Sequence, residues 1–424
     1  MGFLAPSDSI FLLGESREHP LHVGGLQLYE PPEDAGPEYT REVYESLLAH
    51  TDTHPIYRLR PAQPVGTLGQ FRMTEVDEVD FEYHVRLSAL PRPGRIRELL
   101  ALLSRLHGTL LDRHMPLWEM HVIEGLEDNR VAVYTKIHHS LLDGISALRM
   151  LEKTLSPDPN ARDCLAPWSP QERRQRRSGS GGPSLLQAGA NLVGDLAGLG
   201  PTALRLAEKT LGSSPAIGPG QAPRTMFNVP IGGARRFAAQ TWPMDRLQGV
   251  ARSTGTKLND IVLAMCGGAL RSYLLEQAAL PDTPLIAAVP VSLRTDDSQG
   301  GNAVSIILCN LGTHLSDPLD QLRAITESMD AGKELVRGVS PLQAMAIGAV
   351  NLSSVALAAV PGYVRFAPPS FNILISNVPG PKEDLFYNGA RLDGLYPLSV
   401  VLDGFALNIT LTSRARFLDF GLIG

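Results

Sequence analysis

The chain has 424 residues, of which 43% are apolar and 19% charged, with a formal net charge of −6. That length accommodates two or three domains with a core each, and the negative balance gives no general affinity for nucleic acid. Cys164, Cys266 and Cys309 fall at unrelated spacings, which suits neither a metal cluster nor a disulfide framework and fits a reducing cytoplasm.

In chain order, the run MGFLAPSDSIFLLGE lacks a basic region before its short apolar stretch, so it does not read as a secretory signal. The pattern predicts a strand at 22–29 and, after the PEDAGPE turn, a helix at 39–49. Residues 58–85 are mixed polar sequence that predicts short strands only. PRPG then introduces a helix whose apolar stripe is Ile96, Leu99, Leu100, Leu103, Leu106 and Leu110. A hairpin follows, with strands at 118–123 and 131–137 around the turn residues 127–130. Pro116 opens the first strand, where a missing amide is tolerated, and Trp118 either packs or lines a cavity.

The second strand of that hairpin runs into HHSLLDG, residues 138–144. Val131, Val133, Thr135 and Ile137 point to one side of it and Ala132, Tyr134 and Lys136 to the other. Neighbouring side chains on an extended backbone diverge, so one of His138 and His139 can enter a cavity while the other is buried as support. Asp143 is near enough in sequence to turn back and orient a ring or the backbone. Gly144 lets the chain turn into a helix that carries Ile145, Leu148, Leu151 and Leu155 on one side. An imidazole that titrates near neutrality is a suitable general base for an alcohol or amine nucleophile. A metal site would need three or four convergent ligands, and the pair lacks the i, i+4 spacing of HExxH. The plainest alternative is a strand end whose histidines satisfy buried hydrogen bonds.

From 156 to about 224 the composition turns to proline, glycine, serine and arginine, which marks a connector. Arg173, Arg174, Arg176 and Arg177 form a basic cluster beside an amphipathic stretch, 184–199, that either lies on a lipid surface or packs on its own protein. Beyond it, Thr256 is a candidate cap for a helix reaching 277, with Asn259 and Asp260 in its first turn. Apolar strands are predicted at 285–289 and 305–310. The alanine-rich stretch 344–360 reads as a buried helix, either lining an apolar passage or packed in the core, and is too polar for a membrane span. A strand at 372–378 ends in PGP, and 398–412 reads as two strands around Asp403 and Gly404. GxSxG and GxxxxGK are both absent from the sequence, which argues against a nucleophile-elbow hydrolase and a phosphate-cradling loop.

HHxxxDG at a strand end is similar to the signature of acyltransferases with the chloramphenicol acetyltransferase-like fold, which include peptide-synthetase condensation domains. SDSIFLLGESREHPLHVGGLQLYE, PLWEMHVIEGL, KLNDIVLAMCGGALRSYL, PVSLR, GGN and NILISNVPGP further resemble the bacterial wax ester synthase/diacylglycerol acyltransferase family. The resemblance covers nearly the whole chain and looks most like the bifunctional enzymes of hydrocarbon-degrading marine bacteria. It implies an α/β fold of two pseudo-symmetric chloramphenicol acetyltransferase-like domains, each a mixed sheet flanked by helices, with an interdomain active-site tunnel. The first half would be 1–155, the connector 156–225 and the second half 226–424. Family members continue past FGLIG with a closing helix, whereas this sequence stops at Gly424.

The activity implied is transfer of a long-chain acyl group from acyl-CoA, as co-substrate, to a fatty alcohol or diacylglycerol, with no tightly bound cofactor and no metal. His139 would be the general base, His138 its support, Asp143 an orienting group and Gly144 the turn. Asn259 is either an oxyanion donor or a structural amide. Pro116, Leu117, Trp118, Asn259, Asp260, Asn372, Ser376 and Asn377 are the candidate substrate contacts. The expected location is cytoplasmic, peripheral at the inner membrane or on lipid inclusions. Two rival readings share the motif: a condensation-type amide-forming acyltransferase, and a lipid-surface scaffold without catalysis.

Overall fold

The computed structural model describes residues 4, 6–62, 71–142, 144–170, 216–292, 304–337, 341–358 and 362–424. Asp143, the arginine cluster, the stretch 184–199 and the GGN motif lie outside the described residues.

Two six-stranded mixed sheets carry the described chain. The first runs β11 (Phe386–Tyr387), β12 (Ala390–Leu398), β1 (His22–Glu30), β6 (Val131–His138), β5 (Trp118–Glu124) and β4 (Val85–Ala89). Its neighbours are antiparallel except β4 and β5. The second runs β7 (Phe237–Pro243), β14 (Phe417–Ile423), β13 (Asn408–Arg414), β10 (Ile373–Val378), β8 (Ile286–Ser292) and β9 (Val304–Asn310). There β10 lies parallel to both of its neighbours. A separate ribbon pairs β2 (Leu59–Pro61) with β3 (Met73–Glu75).

β6 sits inside the first sheet, and its period-2 pattern feeds two cores. Val131, Val133 and Ile137 join Trp118, Met120 and Val122 on one face. Ala132 and Tyr134 join Leu99 and Leu103 of the helix Ile96–His107 on the other. Leu99 and Leu103 are fully buried, and truncating either to Ala would cost about 2–5 kcal/mol. In the second sheet Ile373, Ile375, Ile409 and Leu411 pack under the helices Leu258–Glu276 and Pro318–Arg337. Its other face, at Ser376, Val378 and Thr410, turns towards the first sheet.

Residues 386–398 lie apart from the sheet that carries the other strands of 226–424. That segment leaves the second half and adds β11 and β12 to the edge of the first sheet, with Gly25 opposite Pro397 and Gln27 opposite Leu395. The bridging strand is therefore β12, whereas the strand carrying Ser376 and Asn377 stays in the second sheet. The sheets meet closely at Gly421 of β14, where a Cβ would stand 1.9 Å from the Pro397 carbonyl oxygen. Only glycine fits there.

Other differences are local. The alanine-rich stretch breaks into the helices Pro341–Asn351 and Ser353–Leu357, because Asn351 turns inward and its amide donates to Ile306 O at 2.8 Å. The helix Leu258–Glu276 is capped by Lys257, whose amide is met by Asp260, and not by Thr256. The strands predicted within 398–412 lie at 390–398 and 408–414, with Asp403 and Gly404 in the connection. No described helix is long and apolar enough to cross a membrane.

Candidate active site

The histidine turn is held from three directions. His22 on β1 is the register partner of His138, the His138 amide donates to Leu117 O at 3.0 Å, and the His139 amide donates to Leu21 O at 3.0 Å. Pro116 and Leu117 thus position the motif through the backbone, and both are buried.

The two rings diverge as the pleat requires. His138 is fully buried. Its Nδ1 lies 3.1 Å from the Ser140 amide nitrogen and 2.7 Å from Ser140 Oγ, while Nε2 lies 3.3 Å from Glu15 Oε1. An amide N–H only donates, so Nδ1 accepts and the neutral ring carries its hydrogen on Nε2, facing the carboxylate. Glu15 also accepts from the Leu21 amide at 3.2 Å and from Arg113 Nε and Nη2 at 3.2 and 3.0 Å. Arg113 Nη2 further donates to Leu12 O at 2.6 Å, near the C-terminal end of the helix Pro6–Gly14, where a cation is favoured. Burial by itself raises the Glu15 carboxyl, but His138, the Leu21 amide and Arg113 hold it below the usual carboxylate range.

His139 is half-buried, and its ring stacks on Phe11 with centroids 4.2 Å apart and planes 11° from parallel. Phe11 and Glu15 both come from SDSIFLLGES. One addresses the forward histidine and the other the buried one, and residue-by-residue reading of the sequence missed both. The only available signal was their i, i+4 spacing at the end of a short apolar helix.

Beside the turn is an apolar cavity of about 110 Å³, bounded by Gly25, Thr135, Ile137 and Leu395 from the first sheet and by Val378 and Thr410 from the second. Its wall includes Ile137 and Gly144, on either side of His139 in sequence. A second space of about 50 Å³ shares Thr135, Ile137, Ala147 and Leu151 with the first and continues to Trp118. Trp118 therefore both lines and packs: its indole stacks on His84 and Trp168 and donates to Tyr57 O at 2.9 Å.

The face of β6 opposite the cavity carries a buried polar network. Lys136 is almost inaccessible and donates to Leu106 O at 3.1 Å and Thr109 O at 2.9 Å, at the end of the helix Ile96–His107, with Glu119 Oε2 at 3.3 Å. Burial would raise Glu119, but His121, Lys136 and Arg86 bring it down to about 2. Burial lowers His107 to about 3, and its ring is fixed as the neutral form by Tyr134 Oη at 2.8 Å and Ser399 O at 3.2 Å.

The second-half candidates lie apart. Asn259 and Asn377 share a cavity of about 390 Å³ with Lys333 and Ser413, and none of its lining residues lines the cavity beside the histidines. Asp260 is buried, with Oδ2 at 3.4 Å from the Lys257 amide nitrogen. Asn372 is spent on structure: it accepts from the Ile286 amide at 2.8 Å and donates to Pro223 O at 2.6 Å and Asn228 Oδ1 at 2.7 Å. Fully buried, its carboxamide ties the start of β10 to its neighbours. Ser376 lies on the Val378 face of β10, half-buried. Among the described residues no group of three metal-ligating side chains converges.

A two-sheet molecule with a histidine pair at a central strand end, beside an apolar space bounded by both sheets, has the build of a two-half acyltransferase. The model of the wax ester synthase/diacylglycerol acyltransferase catalytic domain matches residues 4–262, and that of the WS/DGAT C-terminal domain matches 300–424. A Mycobacterium tuberculosis protein named "Probable diacyglycerol O-acyltransferase tgs2" is 52% identical, covering 100% of this chain and 94% of its own. The O-acyltransferase WSD of Acinetobacter baylyi is 40% identical over 99% of this chain and 91% of its own. The solved wax ester synthase/diacylglycerol acyltransferase of Marinobacter aquaeolei VT8 superposes with a TM-score of 0.81 at 38% identity, covering 100% of this chain and 93% of that one. The first condensation domain of the CDA synthetase shares the fold at a TM-score of 0.55 and 14% identity, over 99% of this chain and 89% of that one. The chain belongs to the wax ester synthase/diacylglycerol acyltransferase family, and it is an acyltransferase enzyme.

Proposed function

We propose that the protein transfers a long-chain acyl group from acyl-CoA to the hydroxyl of a long-chain alcohol or diacylglycerol, with His139 as general base. The observation that carries this reading is the apolar space bounded by both sheets, with wall residues on either side of His139 in the chain. The substrate hydroxyl gives its proton to His139 as its oxygen attacks the thioester carbonyl. The tetrahedral intermediate then expels the thiolate, which takes the proton back, so no acyl-enzyme is needed. Glu15, Arg113 and His138 hold the turn. Of the two roles read for Asn259, the structural one is better supported, because its cavity shares no lining residue with the one beside the histidines.

The test uses purified protein with palmitoyl-CoA and hexadecanol or dioleoylglycerol, following free thiol and ester. The expected result is ester formation by the wild type and none by His139→Ala of unchanged circular dichroism. Wild-type protein that releases no thiol would favour the scaffold reading. Transfer to amines with none to alcohols would favour the condensation reading.

A further inference from the structure

The floor of the cavity between the sheets is laid by alternate residues of β1 and β6: Val23, Gly25 and Gln27 on the first, Thr135 and Ile137 on the second. Gly25 leaves the middle of that floor without a side chain. Gln27 is 99% buried, since 1% of its surface is exposed, and its Nε2 donates to Gly25 O at 3.2 Å and Thr135 Oγ1 at 3.4 Å. The Gly25 carbonyl only accepts, so the amide orientation is fixed with Oε1 on the other side. That oxygen has no hydrogen-bond partner among the described residues. A buried acceptor left unpaired beside apolar walls is destabilising unless a ligand supplies a donor.

We infer that Gln27 Oε1 recognises a hydroxyl on the lipid chain that occupies this cavity, so that the protein favours chains hydroxylated far from the reacting end. The inference rests on the acyl-transfer reading and narrows its substrate class. The Gln27 amide reaches back to Gly25 and to Thr135, four residues before His139, which places it about 13 Å from His139 along the strand at about 3.3 Å per residue. An acceptor at that distance meets the interior of a long chain whose head is at the base. The substrate O–H donates to Oε1, and Thr135 Oγ1 beside it completes a polar patch in an otherwise apolar passage. A chain without a hydroxyl at that level leaves Oε1 unpaired and is selected against, as sites built around a buried polar group reject analogues that lack its partner. The hydroxyl can belong to the acyl chain or to the alcohol chain.

The two sources are separated by three combinations that form two pairs: palmitoyl-CoA with hexadecanol as the parent, set against 10-hydroxypalmitoyl-CoA with hexadecanol and against palmitoyl-CoA with hexadecane-1,10-diol. In one of these pairs the hydroxylated chain is expected to exceed its parent by about tenfold or more in kcat/KM, and that pair identifies the chain in the cavity. Gln27→Leu and Gln27→Met, which remove the acceptor at similar size, bring the ratio to about one. Equal kcat/KM for hydroxylated and plain chains in both pairs, with turnover intact, overturns the inference and leaves acyl transfer standing. If no combination releases thiol, the acyl-transfer reading fails. Calorimetric binding of the diol against hexadecanol then decides the role of Gln27: tighter diol binding by the wild type, lost in Gln27→Leu, supports it, and equal binding rejects it.

Discussion

Glu15 Oε1 stands 3.3 Å from His138 Nε2, so the support for the histidine turn comes from the first helix of the chain and is not confined to the motif. With the buried ring held between Ser140 and Glu15, the backbone that presents His139 has little freedom. Glu15→Gln keeps the shape and removes the charge. It is expected to lower kcat by about a hundredfold, the scale of a small misplacement of a reacting group, with KM little altered, as read by steady-state thiol release. Glu15→Ala adds a loss of stability, because His138 and Arg113 lose their shared carboxylate. That loss should be smaller than the about 3–5 kcal/mol of a fully buried broken pair, since 37% of the Arg113 side chain is exposed.

Phe11 sets the plane of the forward ring. An aromatic stack of this kind contributes about 0.5–1.5 kcal/mol beyond its area burial, so Phe11→Leu should lower kcat/KM by up to about tenfold. Thermal melting should change little, because Phe11 is only half-buried. A variant with wild-type kinetics would mean that the ring plane of His139 is fixed by other contacts.

Much of the first sheet was legible because its determinants are local. β5 and β6 alternate cleanly around a polar turn, and the helix Ile96–His107 shows its stripe at 3.6-residue spacing. β12 was not legible. Asp393, Gly394 and Pro397 make 390–398 look like a loop, and the strand is stabilised by partners from both halves of the chain, including β1 near the other end of the sequence. The same holds for the site. The histidines announce themselves by motif, whereas Glu15, Phe11 and Arg113 act through long-range contacts, of which the i, i+4 spacing of Phe11 and Glu15 is a faint trace. Asn372 is ambiguous for the opposite reason: a carboxamide at a strand start looks the same in sequence whether it binds a ligand or, as here, clips three backbone and side-chain groups together.

The buried polar face of β6 makes the fold sensitive to acid. His107 titrates at about 3 when folded and near 6.5 when unfolded, so the unfolded chain binds the proton first and stability falls as pH drops below about 6.5. Glu119, lowered to about 2 from 4.5, adds stability that is fully present above the unfolded value and lost as pH falls towards 2. By itself that shift corresponds to about 3 kcal/mol, of which the buried Lys136 ammonium, itself disfavoured by desolvation, offsets a part. Urea midpoints are therefore expected to fall steadily from pH 6.5 to 3. His107→Asn should flatten the upper part of that range and Glu119→Gln the lower part. A midpoint independent of pH down to 4 would contradict both assignments.

The junction of the sheets is locked by a second buried pair, and its effect should be non-additive. Arg414 Nε lies 2.8 Å from Asp419 Oδ2, with side chains 2% and 0% exposed. The same oxygen accepts from the Leu395 amide at 2.9 Å, and Oδ1 accepts from Thr241 Oγ1 at 2.6 Å, which in turn contacts Tyr396 Oη at 2.8 Å. The pair thus ties the second sheet to β12, whose Leu395 forms part of the cavity wall. Asp419→Ala leaves a buried guanidinium and a buried amide without their acceptor and should cost about 3–5 kcal/mol. Arg414→Met strands the buried carboxylate but should cost less, because Asp419 keeps the Thr241 hydroxyl and the Leu395 amide as donors. The loss in the double variant should fall short of the sum of the single losses by at least about 1 kcal/mol in urea denaturation, since neither buried charge is left without its partner there. Additivity within about 0.5 kcal/mol would mean that the two side chains stabilise the junction independently, with Asp419 acting through Leu395 and Thr241 alone.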